Sequence, residues 1–189
     1  MHSIPSFESY LAAHCRKGHF AYESGDHGDL WIDLDAMLAD MRFVEAWAQD
    51  LSTRIKEFSP ELICGPQSGG ARLAECVARQ LSIQFVYTER DPSAPGPPAR
   101  YIMPARMKAD IQGRSVVVID DAINAGSAVS ATIVELESQG ARVVAIGCLL
   151  TLNEKAQVLA NSQGVPLVRL HQLQQCLWPA ADCPVCREV

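Results

Sequence analysis

Residues 116–129 read VVVIDDAINAGSAV. An apolar run ends on two adjacent carboxylates, Asp120 and Asp121, and a short polar turn with one glycine leads into a helix-like pattern. In an open parallel sheet, ligands bind beyond the carboxyl ends of the strands, where the next turn and helix N-terminus face a crevice. The turn made by Asn124, Ala125, Gly126, Ser127 and Ala128 would bring backbone N–H groups and the positive end of a helix dipole together, with Gly126 allowing close backbone approach. Such a turn is a phosphate cradle. The neighbouring carboxylates can accept hydrogen bonds from hydroxyls or hold a divalent metal, directly or through water. A phosphorylated sugar fits that combination.

The stretch ICGPQSGGARLA repeats the plan: a short strand, a turn over Gly65, Pro66, Gln67, Ser68, Gly69 and Gly70, then a helix. A second anion could be held at the same edge of the sheet, so the substrate would carry two phosphate ends. A Walker A loop would need a Lys before its Ser or Thr, and a dinucleotide fold would need G-x-G-x-x-G; NAGSA satisfies neither. The plainer alternatives are an acidic helix cap at Asp120 and Asp121 and an ordinary tight turn at 65–70.

Between two strand-like runs, residues 90–106, RDPSAPGPPARYIMPAR, hold five prolines and one glycine. The composition predicts no regular element there. At this length a functional loop is expected, and Arg90, Arg100, Arg106 and Lys108 would let it close over anions. A solvated insertion is the alternative.

The elements that must position these groups follow from periodicity. Phe43, Trp47, Leu51, Ile55 and Phe58 recur at spacings of four and three, which predicts an amphipathic helix over 41–58. ELICG, IQFVYT, RSVVVID and ARVVAIGCLL predict strands; ARLAECVARQL and SAVSATIVELESQG predict helices, the second stopped by Gly140. Alternating strands and helices imply right-handed crossovers and an open, mostly parallel sheet with helices on both faces. The near-continuous apolar strands agree with burial on both sides. The expected class is α/β, with 189 residues forming a single domain: an N-terminal segment over 1–40, a core over 41–170 and a cysteine-containing tail over 171–189.

Composition narrows the function classes. Sixteen basic against 22 acidic residues give a net charge of −6, with no basic run to neutralise a phosphate backbone, so no nucleic-acid partner is expected. No apolar run reaches the span of a bilayer and the N-terminus lacks the plan of a signal peptide, so a cytoplasmic protein without membrane contact is expected. The seven cysteines do not form a disulfide framework. In the tail, Cys183 and Cys186 make a CxxC, with Cys176 and His171 upstream. Structural zinc sites usually draw four ligands from two paired motifs rather than one pair plus stragglers, so free or redox-sensitive thiols are expected and a structural zinc on these four is the alternative.

The motif at 116–129 resembles the phosphoribosyl pyrophosphate signature of type I phosphoribosyltransferases, and GPQSGGARLA resembles their pyrophosphate loop. GHFAYESGDHGDLWIDL resembles the N-terminal hood of orotate phosphoribosyltransferases, and the resemblance runs over about 18–150. It implies that Asp120 and Asp121 bind the ribose hydroxyls, residues 124–128 the 5-phosphate and residues 65–70 the pyrophosphate. Magnesium would be held through substrate with Asp120 and Asp121, while Arg90 and Arg100 would act at the leaving group. Phe20, Ser24, Gly25, His27 and Asn124 would face the base. The implied partners are phosphoribosyl pyrophosphate, a nucleobase that is a pyrimidine such as orotate, and a second copy of the chain in a homodimer. The family's mobile loop carries lysines and a histidine, whereas DPSAPGPPARY has neither. Where these enzymes place an arginine for the orotate carboxylate, this chain has TLNEK, with Asn153 near that place. A non-catalytic sensor of the sugar diphosphate or a nucleotide is the second reading.

Overall fold

The protein's structure, a computed structural model, describes residues 6–22, 25–94, 96, 99–109, 111–174 and 176–187. Helix α1 (Phe7–His14) leads into the hairpin β1 (Cys15–Ala21) and β2 (Asp26–Ile32); α2 (Leu34–Ala39) and α3 (Met41–Ile55) follow. The central part then alternates: β3 (Leu62–Pro66), α4 (Gly69–Leu81), β4 (Gln84–Arg90), β5 (Tyr101–Ile102), α5 (Ala105–Lys108), β6 (Ser115–Ile123), α6 (Ser127–Ser138) and β7 (Arg142–Thr151). The chain continues through α7 (Lys155–Gln163), β8 (Leu167–Gln172), β9 (Leu177–Pro179) and α8 (Pro184–Arg187).

Six strands form the main sheet in the order β5-β4-β3-β6-β7-β8. Its neighbours from β4 to β8 pair parallel, and β5 pairs antiparallel with β4. The period of two along each strand sends alternate apolar residues into two cores. Ile63, Val117 and Ile119 pack with α3 and α4, whereas Leu62, Cys64, Val116 and Val118 pack with Val129, Ile133 and Leu136 of α6. Each fully buried Val, Leu or Ile contributes about 1.5–3 kcal/mol, so strands lined with them on both faces make a rigid platform. On α3, Phe43, Trp47, Leu51 and Ile55 are all buried, as the spacing predicts.

Sheet order locates the cleft. From β3 the chain moves outward to β4 with α4 on one face; from β6 it moves the other way to β7 with α6 on the opposite face. The turns after β3 and β6 therefore diverge, and the gap between them is the topological switch point where ligands bind in such sheets.

A second sheet, β1-β2-β9, lies outside the core. The tail strand β9 runs antiparallel along β2, with Asp26 opposite Pro179 and His27 opposite Trp178. The C-terminal segment is thus joined to the N-terminal one. The proline-rich stretch departs from the expectation of no regular element. Arg90 and Tyr101 are paired across β4 and β5, and a short α5 follows. The backbone N–H of Asp91 donates to the carbonyl of Arg100 at 2.9 Å. The prolines fall outside β5 and α5, so those backbone donors are intact. A further difference lies at the signature: β6 does not end on Asp120 but runs through both carboxylates to Ile123, which pairs with Thr151.

Candidate active site

Asp120 and Asp121 project at the end of the switch-point gap, and Asp120 is only 9% exposed. The Asp120 carboxylate accepts the Asp121 backbone N–H at 3.0 Å, and Asp121 accepts the N–H of Ala122 at 2.8 Å. Burial pushes both acids above the usual carboxylate range, and for Asp120 the adjacent Asp121 charge adds to the rise. Two buried like charges side by side call for hydroxyl donors or a cation.

The turn after β3 meets these carboxylates directly. A side-chain carbon on Gly69 would collide with the Asp121 carboxylate, and one on Gly70 with that of Asp120; the latter would also stand 3.1 Å from the Asp120 Cα. Only bare backbone lets the N-terminus of the 13-residue α4 approach so closely. The Gln67 N–H is spent on the Thr88 carbonyl at 2.8 Å, and the peptide between Gln67 and Ser68 is cis. On the other side of the gap, Gly126 caps α6 with a φ of 77°, a left-handed conformation that favours glycine. The first N–H groups of α4 and α6 lack partners within their helices, so two anion-binding ends flank one acidic pair.

A cavity of about 330 Å³ occupies the gap. Its lining includes Pro66, Gln67, Ser68, Gly69, Gly70, Asp120, Asp121 and Ala128, closed by Trp31, Asp33 and Asp35 from β2 and the start of α2. A second cavity of about 210 Å³ shares Trp31, Ile32 and Leu34 and adds Tyr22, Leu30, Ala122, Leu152 and Asn124. Apart from Asn124 its walls are aromatic and aliphatic, and the Trp31 ring stacks on Tyr22 at 6.3 Å and lies 6.0 Å from Phe20. The Asn153 side-chain amide donates to the Asn124 oxygen at 2.7 Å, which fixes the Asn124 head.

Of the basic residues expected at the site, Arg90 lines a third, open cavity of about 530 Å³ with Gln67, Ser68, Glu89 and Pro92. Arg100 is instead directed to Asp91 at 3.5 Å. Arg106 bonds the Tyr87 hydroxyl at 2.7 Å, and Lys108 pairs with Glu135 at 3.0 Å. Among the described residues, Arg90 is therefore the basic side chain bordering the three cavities.

The structure draws together Pro66 to Gly70, Asp120, Asp121 and Ala128 in one cavity and places Asn124 in the adjoining one, while Gly65, Ala125, Gly126 and Ser127 line neither, and it separates other expected residues. Ser24 lies outside the described residues. Gly25 forms the hairpin turn with a φ of 83°, away from both hood cavities. His27, expected at the base, contacts His19 at 3.0 Å instead. The alternative zinc set is corrected too. His171 stacks flat on Phe7, centroids 3.4 Å apart, and the Cys176 backbone N–H is bound to Asp29. Neither belongs to the group formed by Cys183 and Cys186, whose neighbours are His19 and His27. Sequence reasoning missed Trp31, Tyr22, Asp33 and Asp35. Asp33 caps α2 by accepting the Ala36 N–H at 3.0 Å.

Residues 33–164 match the family model for the phosphoribosyl transferase domain, which spans every element of this cleft except β1 and β2. The chain belongs to the phosphoribosyltransferase family. It is similar to the orotate phosphoribosyltransferase of Caldanaerobacter subterraneus subsp. tengcongensis, 27% identical over 91% of this chain and 85% of that protein. Among solved structures, this phosphoribosyltransferase superimposes on the orotate phosphoribosyltransferase of Aeropyrum pernix with a TM-score of 0.68 at 24% identity, covering 88% of this chain and 90% of that one. The adenine phosphoribosyltransferase of Thermoanaerobacter pseudethanolicus gives 0.69 at 19% identity, covering 88% and 99%. The two structural neighbours share the fold while their names specify different bases. Among the described residues, no helix is long and apolar enough to cross a membrane.

Proposed function

We propose that this phosphoribosyltransferase moves the 5-phosphoribosyl group from phosphoribosyl pyrophosphate to a pyrimidine, orotate being the first acceptor to test, and releases pyrophosphate. The single observation that carries the reading is the switch-point cavity, in which two helix N-termini face one buried acidic pair. The orotate phosphoribosyltransferases among the similar proteins support the acceptor.

In this reading the carboxylates of Asp120 and Asp121 accept the ribose hydroxyls, and the N–H groups of residues 124–128 hold the 5-phosphate. Residues 65–70 hold the pyrophosphate. The base enters the apolar cavity beside Trp31, and Asn124 offers it a fixed polar head. The bond from C1 to the pyrophosphate oxygen breaks as the bond from C1 to the ring nitrogen forms, with positive charge developing on the sugar. Catalysis is then positioning and charge stabilisation, with Arg90 next to the pyrophosphate turn offsetting the leaving charge. No protein nucleophile is needed.

The acidic pair also fits magnesium. Its donors are hard oxygens, and burial, the main cause that raises both acids, opposes a charge that a divalent cation would offset. Asp120 and Asp121 would hold the ion directly or through water and substrate, and it would supply charge neutralisation of the diphosphate. The same proposal includes a homodimer, which light scattering on the purified protein would test.

One observation favours a second reading, a sensor that binds the sugar diphosphate without turnover: the 91–100 loop carries no Lys or His, and its Arg100 is directed to Asp91. The deciding experiment is pyrophosphate release from phosphoribosyl pyrophosphate and magnesium across orotate, uracil and the purine bases. Release with orotate supports the transferase and its acceptor. Release with uracil alone keeps the transferase and rejects orotate, in line with the absence of a cation from the described lining of the base cavity. Binding without release for every base rejects the transferase.

A further inference from the structure

We infer that His19, His27, Cys183 and Cys186 form a structural zinc site that fastens the C-terminal tail to the hood. The four ligand atoms all lie within 4.8 Å of one another. The closest approaches are 3.0 Å between His19 Nε2 and His27 Nδ1, 3.4 and 3.5 Å from His19 Nε2 to the sulfurs of Cys183 and Cys186, and 3.3 Å from His27 Nδ1 to Cys186. A tetrahedral zinc with bonds of about 2.05 Å to nitrogen and 2.3 Å to sulfur has ligand–ligand edges of about 3.3 to 3.8 Å. The side chains thus already span the outline of one tetrahedron.

Three separate segments converge to make it. The pairing of β1 with β2 shifts register between Lys17 and Phe20, leaving His19 in the irregular part of the strand. A bulge of this kind re-aims a side chain, and here it puts the His19 ring edge-on to that of His27, centroids 4.8 Å apart. From the tail, Cys183 follows a short turn of helix over Ala180–Asp182, and Cys186 lies in the four-residue α8. Arg187 folds back on Asp182 at 2.6 Å and on the Ala181 carbonyl at 2.9 Å, which holds that turn closed.

The donor chemistry selects the metal. Two thiolates and two imidazoles are borderline-soft ligands that suit zinc and do not suit magnesium or calcium. All four positions are protein ligands, so the site is closed and structural. Without a metal the group would be two thiols and two imidazoles turned on one another, with Cys183 fully buried and only weak S–H donors to offer.

Position gives the site its consequence. His27 pairs with Trp178 across β2 and β9, and β2 continues to Trp31, the residue that walls both the sugar-phosphate cavity and the base cavity. The metal would hold that strand pair at the end remote from Trp31, so its binding energy would stabilise the hood. This inference does not depend on the identity of the acceptor base.

The test is the metal content of the full-length wild-type protein, purified under reducing conditions from zinc-supplemented cells and desalted. About one zinc per chain is expected, with a tetrahedral sulfur-ligated cobalt spectrum when cobalt replaces it. Cys186→Ser and His19→Ala should each lower zinc content at least about tenfold, while Cys176→Ser leaves it unchanged. Folded wild-type protein with neither stoichiometric zinc nor the cobalt spectrum overturns the site. So does a Cys183–Cys186 disulfide in the freshly isolated protein, or loss of zinc in Cys176→Ser but not in Cys186→Ser. The wild-type measurements decide the matter even where a variant fails to fold.

Discussion

Asp120→Asn separates the two demands placed on the acidic pair. The substitution keeps the shape, and the amide oxygen can still accept the Asp121 N–H that the carboxylate accepts at 3.0 Å. It removes one of two adjacent buried charges. For stability the change is favourable: Asp120 is 9% exposed and its charged form is opposed by burial and then by Asp121. Relieving an incompletely compensated buried group is worth at least about 1 kcal/mol. For catalysis the change is unfavourable. A carboxylate has about four acceptor positions, and here one is committed to the backbone, leaving charged acceptors for a sugar hydroxyl. A hydrogen bond to a charged group is worth about 1.5–3 kcal/mol, so kcat/KM for phosphoribosyl pyrophosphate should fall about 10- to 150-fold while the urea midpoint rises. Pyrophosphate release and urea unfolding of the same preparation check both arms. Activity within about twofold of wild type would remove Asp120 from the reaction, since even the weakest charged hydrogen bond exceeds that factor. A lowered midpoint would refute the electrostatic account of the pair.

The other expected outcomes follow from neighbouring contacts. Gly70→Ala would press a methyl group on the Asp120 carboxylate and on the backbone at Ile119 and Asp120; overpacking of about 1–3 kcal/mol should appear in urea unfolding, with loss of pyrophosphate release. Arg90→Ala should lower kcat about tenfold or more, whereas Arg100→Ala, whose partner is Asp91, should change it less than about threefold. Trp31→Ala should raise KM for the base about two- to tenfold, the scale of one aromatic contact, and steady-state kinetics would show the smaller change for the sugar diphosphate. The pH dependence has a definite sign. Asp120 and Asp121 hold their protons more tightly folded than unfolded, so their contribution to stability is greatest below the ordinary carboxylate pKa of about 4 and is lost as pH rises through the raised values. Asp40, Glu61 and Asp91 are shifted downward and act oppositely. The stability difference between Asp120→Asn and wild type should therefore grow with pH through that window, and urea midpoints across a pH series would measure it.

The legible parts of this chain were those whose signals are local. The apolar runs of β3, β6 and β7 and the spacing on α3 announce themselves within a dozen residues, and the glycine turn and acid pair sit at the ends of those runs. Segments beyond residue 151 were harder to read. On α7 only Ala156 and Ala160 are buried, too few to make an apolar stripe, and β9 is three residues long. Its identity as a strand depends on β2, about 150 positions earlier. The same distance hid the histidines that stand beside the tail cysteines. His171 is close to the cysteines in sequence, yet β8 carries it to Phe7, while His19 reaches them through a register shift that no local pattern encodes.

These contrasts divide the site into two halves with different mechanical support. The sugar-phosphate half is built on turns after β3 and β6, strands packed on both faces, and the Gly69 and Gly70 backbone is wedged against the carboxylates themselves. The base half rests on the small outer sheet, where β1 and β2 are mostly half-buried or exposed and gain their third strand only from the tail. With one buried position across β1 and β2 this sheet lacks the hydrophobic face a small sheet needs to stand alone, so the contacts that fix β2 also fix Trp31 and hence the width of the cavity proposed for the base. On the proposed reaction, recognition of the phosphoribosyl group would be a property of the core, and recognition of the base a property of how firmly the tail holds the hood.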